Sequence, residues 1–153
     1  MSYFLDWLEK TSWAVTIRQS MWLYPTLEIL HILGIIVLVG AAFMFDLNVL
    51  GFSKNSSSSG LARYLLSWSA RGLLLVVPSG ILLFITNART LGTDPVFWLK
   101  MMLLIIAACN ALVFHQFIAF SAGEKSPFAS KICACVSIVV WIAVVTCGRL
   151  LAY

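Results

Sequence analysis

The sequence predicts an all-α integral membrane protein, a four-helix bundle running up-down-up-down, preceded by an N-terminal interfacial amphipathic helix. Three observations predict it. Apolar residues make up 61% of the 153, against about 45–50% in an average soluble domain. Charged residues make up 10%, against about 25%. The apolar residues also gather into four stretches, each reaching the roughly 20 residues that cross a bilayer as a helix. Ten basic and six acidic side chains are too few to cover a soluble globule of this length. The same figures exclude a disordered chain, which needs low hydrophobicity and high charge. The net charge of +4 forms no basic run or face, so nucleic acid is not an expected partner; membrane lipid is.

The chain reads as a single transmembrane domain over residues 1–153, and its leading segment, residues 1–24, as one interfacial helix. Phe4, Leu5, Leu8, Val15, Met21 and Trp22 recur roughly on one face, with Asp6, Glu9, Lys10 and Arg18 elsewhere. Trp7, Trp13, Trp22 and Tyr24 suit the headgroup level. The spans follow at about 25–50, 61–87, 96–121 and 128–151. Pro25 fits a first helical position, where no N–H is required. The 24 residues before the first span, four of them charged, argue against a cleavable signal.

The connections are short, which favours antiparallel neighbours. Gly51 to Gly60, with Ser56 to Ser59, reads as an exposed loop, and Asn87 to Pro95 and Ser121 to Pro127 as turns. Basic residues near the helix ends divide equally between the two sides, so charge does not set the orientation. Cys109, Cys133, Cys135 and Cys147 lie within the apolar stretches and read as small buried residues. Cys133 and Cys135 point about 200° apart on a helix, a poor arrangement for one tetrahedral metal.

Ionisable groups inside spans are costly and mark functional sites. Here they are Glu28, His31 and Asp46 in the first span, Arg71 in the second, Lys100 and His115 in the third, and Arg149 in the fourth. Asn110 adds an uncharged polar group. At 1.5 Å per residue, His31 lies about 9 Å to one side of mid-membrane and His115 about 10 Å to the other. The groups sort into two layers. Glu28, Lys100, Arg149, Asn87 and Arg89 belong with His31; Asp46, Arg71 and Asn110 belong with His115. Two histidines some 20 Å apart in depth would not share one macrocycle, so two sites are expected.

Haem iron accepts a neutral histidine. Ala107, Ala111 and Ala119 leave room beside His115, and Gly34 lies near His31. Pro78-Ser79-Gly80 is expected to interrupt the second span and admit a ring edge. Arg71, Lys100 and Arg149 stand where propionates would seek bases. Glu28 and His31 also form the Glu-x-x-His pattern of di-iron bundles, but those need two such motifs. A third reading is a non-haem, proton-coupled transporter module or assembly partner, with Glu28, His31, Asp46 and His115 as a proton relay. No nucleophile elbow, phosphate loop, dinucleotide fingerprint or zinc-protease signature is present.

The run Trp22-Leu23-Tyr24-Pro25, with Glu28, His31, Gly34 and Gly40, continues into Asp46-Leu47-Asn48-Val49-Leu50-Gly51. Further landmarks are Gly80 to Phe84, Phe97 with Lys100, Asn110 with Phe114-His115, and Gly148 to Tyr153. On these residues the chain resembles a family of small bacterial four-helix inner-membrane proteins of unassigned function. The family pattern often carries Arg where this sequence has Asn48. The resemblance implies a b-type membrane haem protein with the two histidines as ligands. The chain is also loosely similar to copper-resistance membrane proteins of the CopD type, although Met101-Met102 is its only Met pair.

The expectation is a cytochrome b-like protein of the bacterial inner membrane binding one or two haem b, for electron transfer or for redox or gas sensing. His31 and His115 would be the iron ligands. Arg71, Lys100 and Arg149 would face propionates, with Glu28, Asp46 and Asn110 supporting them. A homo-oligomer, taken as a trimer, would supply interior volume that four helices lack, and a redox partner would complete electron transfer.

Overall fold

The computed structural model describes residues 2–52, 58–114 and 127–151. Seven helices lie among them, and no strand. They are α1 (Ser2–Glu9), α2 (Ser12–Gln19), α3 (Leu23–Leu50), α4 (Ser58–Thr86), α5 (Ala88–Thr93), α6 (Pro95–Val113) and α7 (Pro127–Leu150). Four of them, α3, α4, α6 and α7, are long and apolar enough to cross a membrane. The protein is therefore an all-α, multi-pass membrane protein. Large apolar side chains such as Ile36, Leu74, Ile105 and Val139 are exposed along these helices, the face that helices in hydrocarbon present to lipid.

The leading segment differs from the single helix expected. Thr11 stops it: its backbone is extended and its hydroxyl accepts the Ala14 N–H, capping α2. The N–H groups of Lys10 and Thr11 close onto the Trp7 and Leu8 carbonyls in a tight turn. Ser20 then ends α2 and accepts the Leu23 N–H at the start of α3. Pro25 sits third in α3 rather than first, still within the turn whose N–H groups have no intrahelical partner.

Other boundaries move as well. α4 begins at Ser58, so Ser58 and Ser59 are helical rather than loop. The turn after it contains α5. Pro78 lies inside α4 without ending it, correcting the expected interruption. It removes one N–H, but a backbone in hydrocarbon has no water to turn to and keeps the remaining helical bonds. The described part of α6 ends at Val113, and His115 lies outside the described residues.

Two compact units divide the chain. The first holds residues 1–40 and 67–95, and the second 41–66 and 96–153. In the first, α3 and α4 run antiparallel at close range. A Cβ added to Gly72 would lie 2.7 Å from the Leu38 backbone nitrogen, and one added to Gly34 would lie 2.8 Å from Val76 Cγ2. The Ser69 hydroxyl donates to the Leu38 carbonyl at 3.4 Å. At the end of the same unit, α1 packs against α5. Leu5 fills the space above Gly92, and Glu9 Oε1 accepts the Arg89 N–H at 2.9 Å. Glu9 thus caps α5, because Asn87 makes no side-chain cap bond. Asp6 adds an exposed ion pair with Arg89 at 3.6 Å.

In the second unit, α6 and α7 also run antiparallel. Ala107, Val140 and Val144 form the buried cluster, flanked by Leu103, Leu104 and Trp141. The Asn110 amide donates to the Cys133 carbonyl at 3.0 Å. At the other end, Lys100 Nζ lies 3.6 Å from where a Gly148 Cβ would stand.

Candidate functional sites within the spans

The antiparallel pairing of α3 with α4 brings His31 to Ser79, with Nδ1 3.0 Å from Oγ. The ring lies over Gly80, where an added Cβ would be 3.0 Å from Cε1. Any larger residue there would displace the imidazole. Ser79 is buried. Its hydroxyl donates to the Leu75 carbonyl at 2.6 Å, with the Val76 carbonyl 3.2 Å away.

These distances favour one tautomer of a neutral ring. A serine hydroxyl has one proton and two lone pairs. Carbonyls can only accept, so the Ser79 proton goes to α4's own backbone. Oγ is left as an acceptor, and a neutral imidazole donates to it from Nδ1. Nε2 then carries the lone pair. A histidine that ligates a metal commonly holds its ring in this manner, one nitrogen donating to a fixed acceptor while the other ligates.

Glu28 is exposed and hydrogen-bonds the Tyr24 hydroxyl one turn earlier. The Asn87 amide donates to Tyr24 Oη at 3.1 Å. Tyr24 thus links Glu28 to the end of α4. Tyr24, Ser79 and the role of Asn87 escaped the sequence reading, because hydroxyls and amides are common in helices and only the helix register selects these three.

The remaining candidates divide between the units. Arg71 shares the unit of His31 and lies over the Trp68 ring at 5.0 Å, a cation–π contact. Lys100, Arg149, Asp46 and Asn110 belong to the other unit. Lys100 is half-buried beside Gly148, and Arg149 is exposed. Asp46 is 5% exposed. Ser137 hydrogen-bonds its carboxyl group, while Oδ2 has no partner. Lys100 and Arg149 belong to a different unit from His31, and Arg71 to a different unit from Asp46.

Among the described residues, no three His, Cys, Asp or Glu side chains gather as a metal-holding group. The Glu28–His31 pair therefore has no third protein ligand beside it among them. A ligand set built on one histidine and a planar macrocycle does not require such a group. His115, the other histidine, lies outside the described residues.

No curated protein and no solved structure matches the chain. A family pattern does match, over residues 4–153. With nearly its whole length matched, the chain belongs to DUF6644, a family of unknown function.

Proposed function

We propose that this protein is a membrane haem-b protein, cytochrome b-like, in which His31 would hold the iron through Nε2. The observation that supports this reading is the Ser79 hydroxyl. It lies within hydrogen-bond distance of both the Leu75 carbonyl and His31 Nδ1, an arrangement in which a neutral ring donates from Nδ1 and ligates through Nε2. Gly80 supports it too, since its missing Cβ keeps room for the ring.

Within the proposal, His115 ligates a second haem. Arg71, Lys100 and Arg149 are the bases offered to propionates. Glu28, Asp46 and Asn110 support the sites at longer range. Bound haem supplies one-electron chemistry, which suits electron transfer or redox or gas sensing. The chain's own residues orient the imidazole, hold its proton on Nδ1 and exclude water through the surrounding apolar side chains. The setting proposed is the bacterial inner membrane, with a homo-oligomer, taken as a trimer, and a redox partner.

The test is a visible spectrum of the detergent-purified protein before and after dithionite, with pyridine extraction. A Soret band that shifts and sharpens on reduction is expected. Its intensity should fall in His31→Ala and again in His115→Ala. Unchanged haem content in both variants, or a colourless protein from haem-replete cells, overturns the proposal.

A further inference from the structure

Asp46 is the most deeply buried ionisable side chain described in a span, and the His31 reading makes no use of its carboxyl. It is 5% exposed and lies in the unit that contains α6 and α7. Ser137 of α7 hydrogen-bonds the carboxyl group. Oδ2 has no hydrogen-bond partner. The ion pairs Arg18–Glu9 and Arg89–Asp6 lie elsewhere.

The surroundings are polar on one side and aromatic on another. Asn110 donates to the Cys133 carbonyl, and Cys133 is one turn before Ser137. Phe45, next to Asp46, meets Phe114 edge-on with centroids 5.1 Å apart. One turn of α7 thus carries both the Cys133 carbonyl that Asn110 meets and the Ser137 hydroxyl that meets Asp46.

A carboxyl serving only to tie α3 to α7 has no need of its second oxygen; an amide or hydroxyl would make the same bond with Ser137. Burying a polar group without a partner is costly, and burying a charged one far more so. Such a group in a native structure calls for an ion, a water or a chemical role. Inside a membrane, carboxyls retained at this cost mark ion or proton paths.

We infer that Asp46 and Ser137 form a binding site for one exchangeable monovalent cation, a proton or a sodium ion, with Oδ2 as the receiving atom. Both ions use the same chemistry, a compact positive charge placed on a carboxylate oxygen in apolar surroundings. Ser137 holds the other part of the carboxyl and fixes its direction. The site's test does not depend on haem or on colour.

Dicyclohexylcarbodiimide tests it, because this apolar reagent forms a stable adduct with a protonated carboxyl. The full-length protein in detergent is treated and the adduct located by peptide mass spectrometry. The expected result is an adduct at Asp46, lost in Asp46→Asn and retained in Asp46→Glu. Loss of the adduct in sodium chloride, but not in choline chloride, assigns the ion as sodium. An adduct indifferent to sodium assigns it as a proton. Wild-type protein without an adduct at Asp46, with or without sodium, overturns the inference, and that result needs no variant to fold.

Discussion

The two antiparallel helix pairs, α3 with α4 and α6 with α7, solve one physical problem by different means. Lipid tails are as apolar as leucine, so helices in a membrane gain little from hydrophobic contact with each other. They associate through close packing and interhelical hydrogen bonds. The α3·α4 pair relies on missing side chains: Gly34 and Gly72 let one backbone come within reach of the next. The α6·α7 pair relies on side chains, with Ala107, Val140 and Val144 as its buried cluster and Asn110 bonding across to a carbonyl. The difference bears on function. Backbones that approach closely at Gly34 and Gly72 set a fixed register, and that register delivers His31 to Ser79.

Substitutions at the seams give the most direct tests of this contrast. Gly72→Ala is expected to have the largest effect, because the new methyl would press on the Leu38 backbone, which has no rotamer to change. Overpacking of this kind costs about 1–3 kcal/mol. Unfolding in mixed detergent micelles, followed by circular dichroism, measures it. Gly34→Ala should cost less, about 1 kcal/mol, since the nearest atom belongs to the Val76 side chain, which can yield in part.

Asn110→Leu tests the other pair. It removes the bond to the Cys133 carbonyl, and interhelical bonds of this type average about 0.6 kcal/mol, with a maximum near 1.7. Gly148→Ala should have the smallest effect. Its Cβ would stand 3.6 Å from Lys100 Nζ, an ordinary contact with a flexible side chain, so the midpoint should stay the same or rise slightly. Equal losses in Gly72→Ala and Gly148→Ala would erase the distinction between the two seams.

Ser79→Ala sharpens the link from seam to site. It removes the acceptor that holds Nδ1–H while leaving the glycines untouched. The expected outcome is a small loss of stability, about 0.5–1.5 kcal/mol for one hydrogen bond. A proportionally larger loss of haem content is expected, read from the pyridine extract. Haem content that follows stability alone would make Ser79 a packing residue.

The sequence was most informative where the signal is local. Four long apolar stretches with few charges define four helices, because every backbone group in hydrocarbon must be bonded within its own segment. The end of the first span at Leu50 and the start of the fourth at about 128 could be read for the same reason. The polar candidates were legible as residue types, since an ionisable group in a span stands out against its neighbours.

Their grouping was not legible. Depth along a helix says how far a side chain lies from mid-membrane, but not which neighbour it meets. Depth alone did not show that Glu28 meets Tyr24 or that Lys100 lies beside Gly148. Asp46 likewise meets Ser137, 91 residues later in the chain. The short helices α1, α2 and α5 depend on a threonine cap and on Glu9 reaching Arg89, and the second of these exists only once the chain has folded back.

What the sequence by itself determined is therefore the all-α class, the four spans and the inventory of costly polar groups, because hydropathy and helix period are properties of short segments. What only the tertiary structure decided is the register of each helix pair and, through it, the His31–Ser79 bond and the unpartnered oxygen of Asp46. The physical reason is that these depend on contacts between residues far apart in sequence, fixed by glycines and hydroxyls whose importance depends on what lies across the seam.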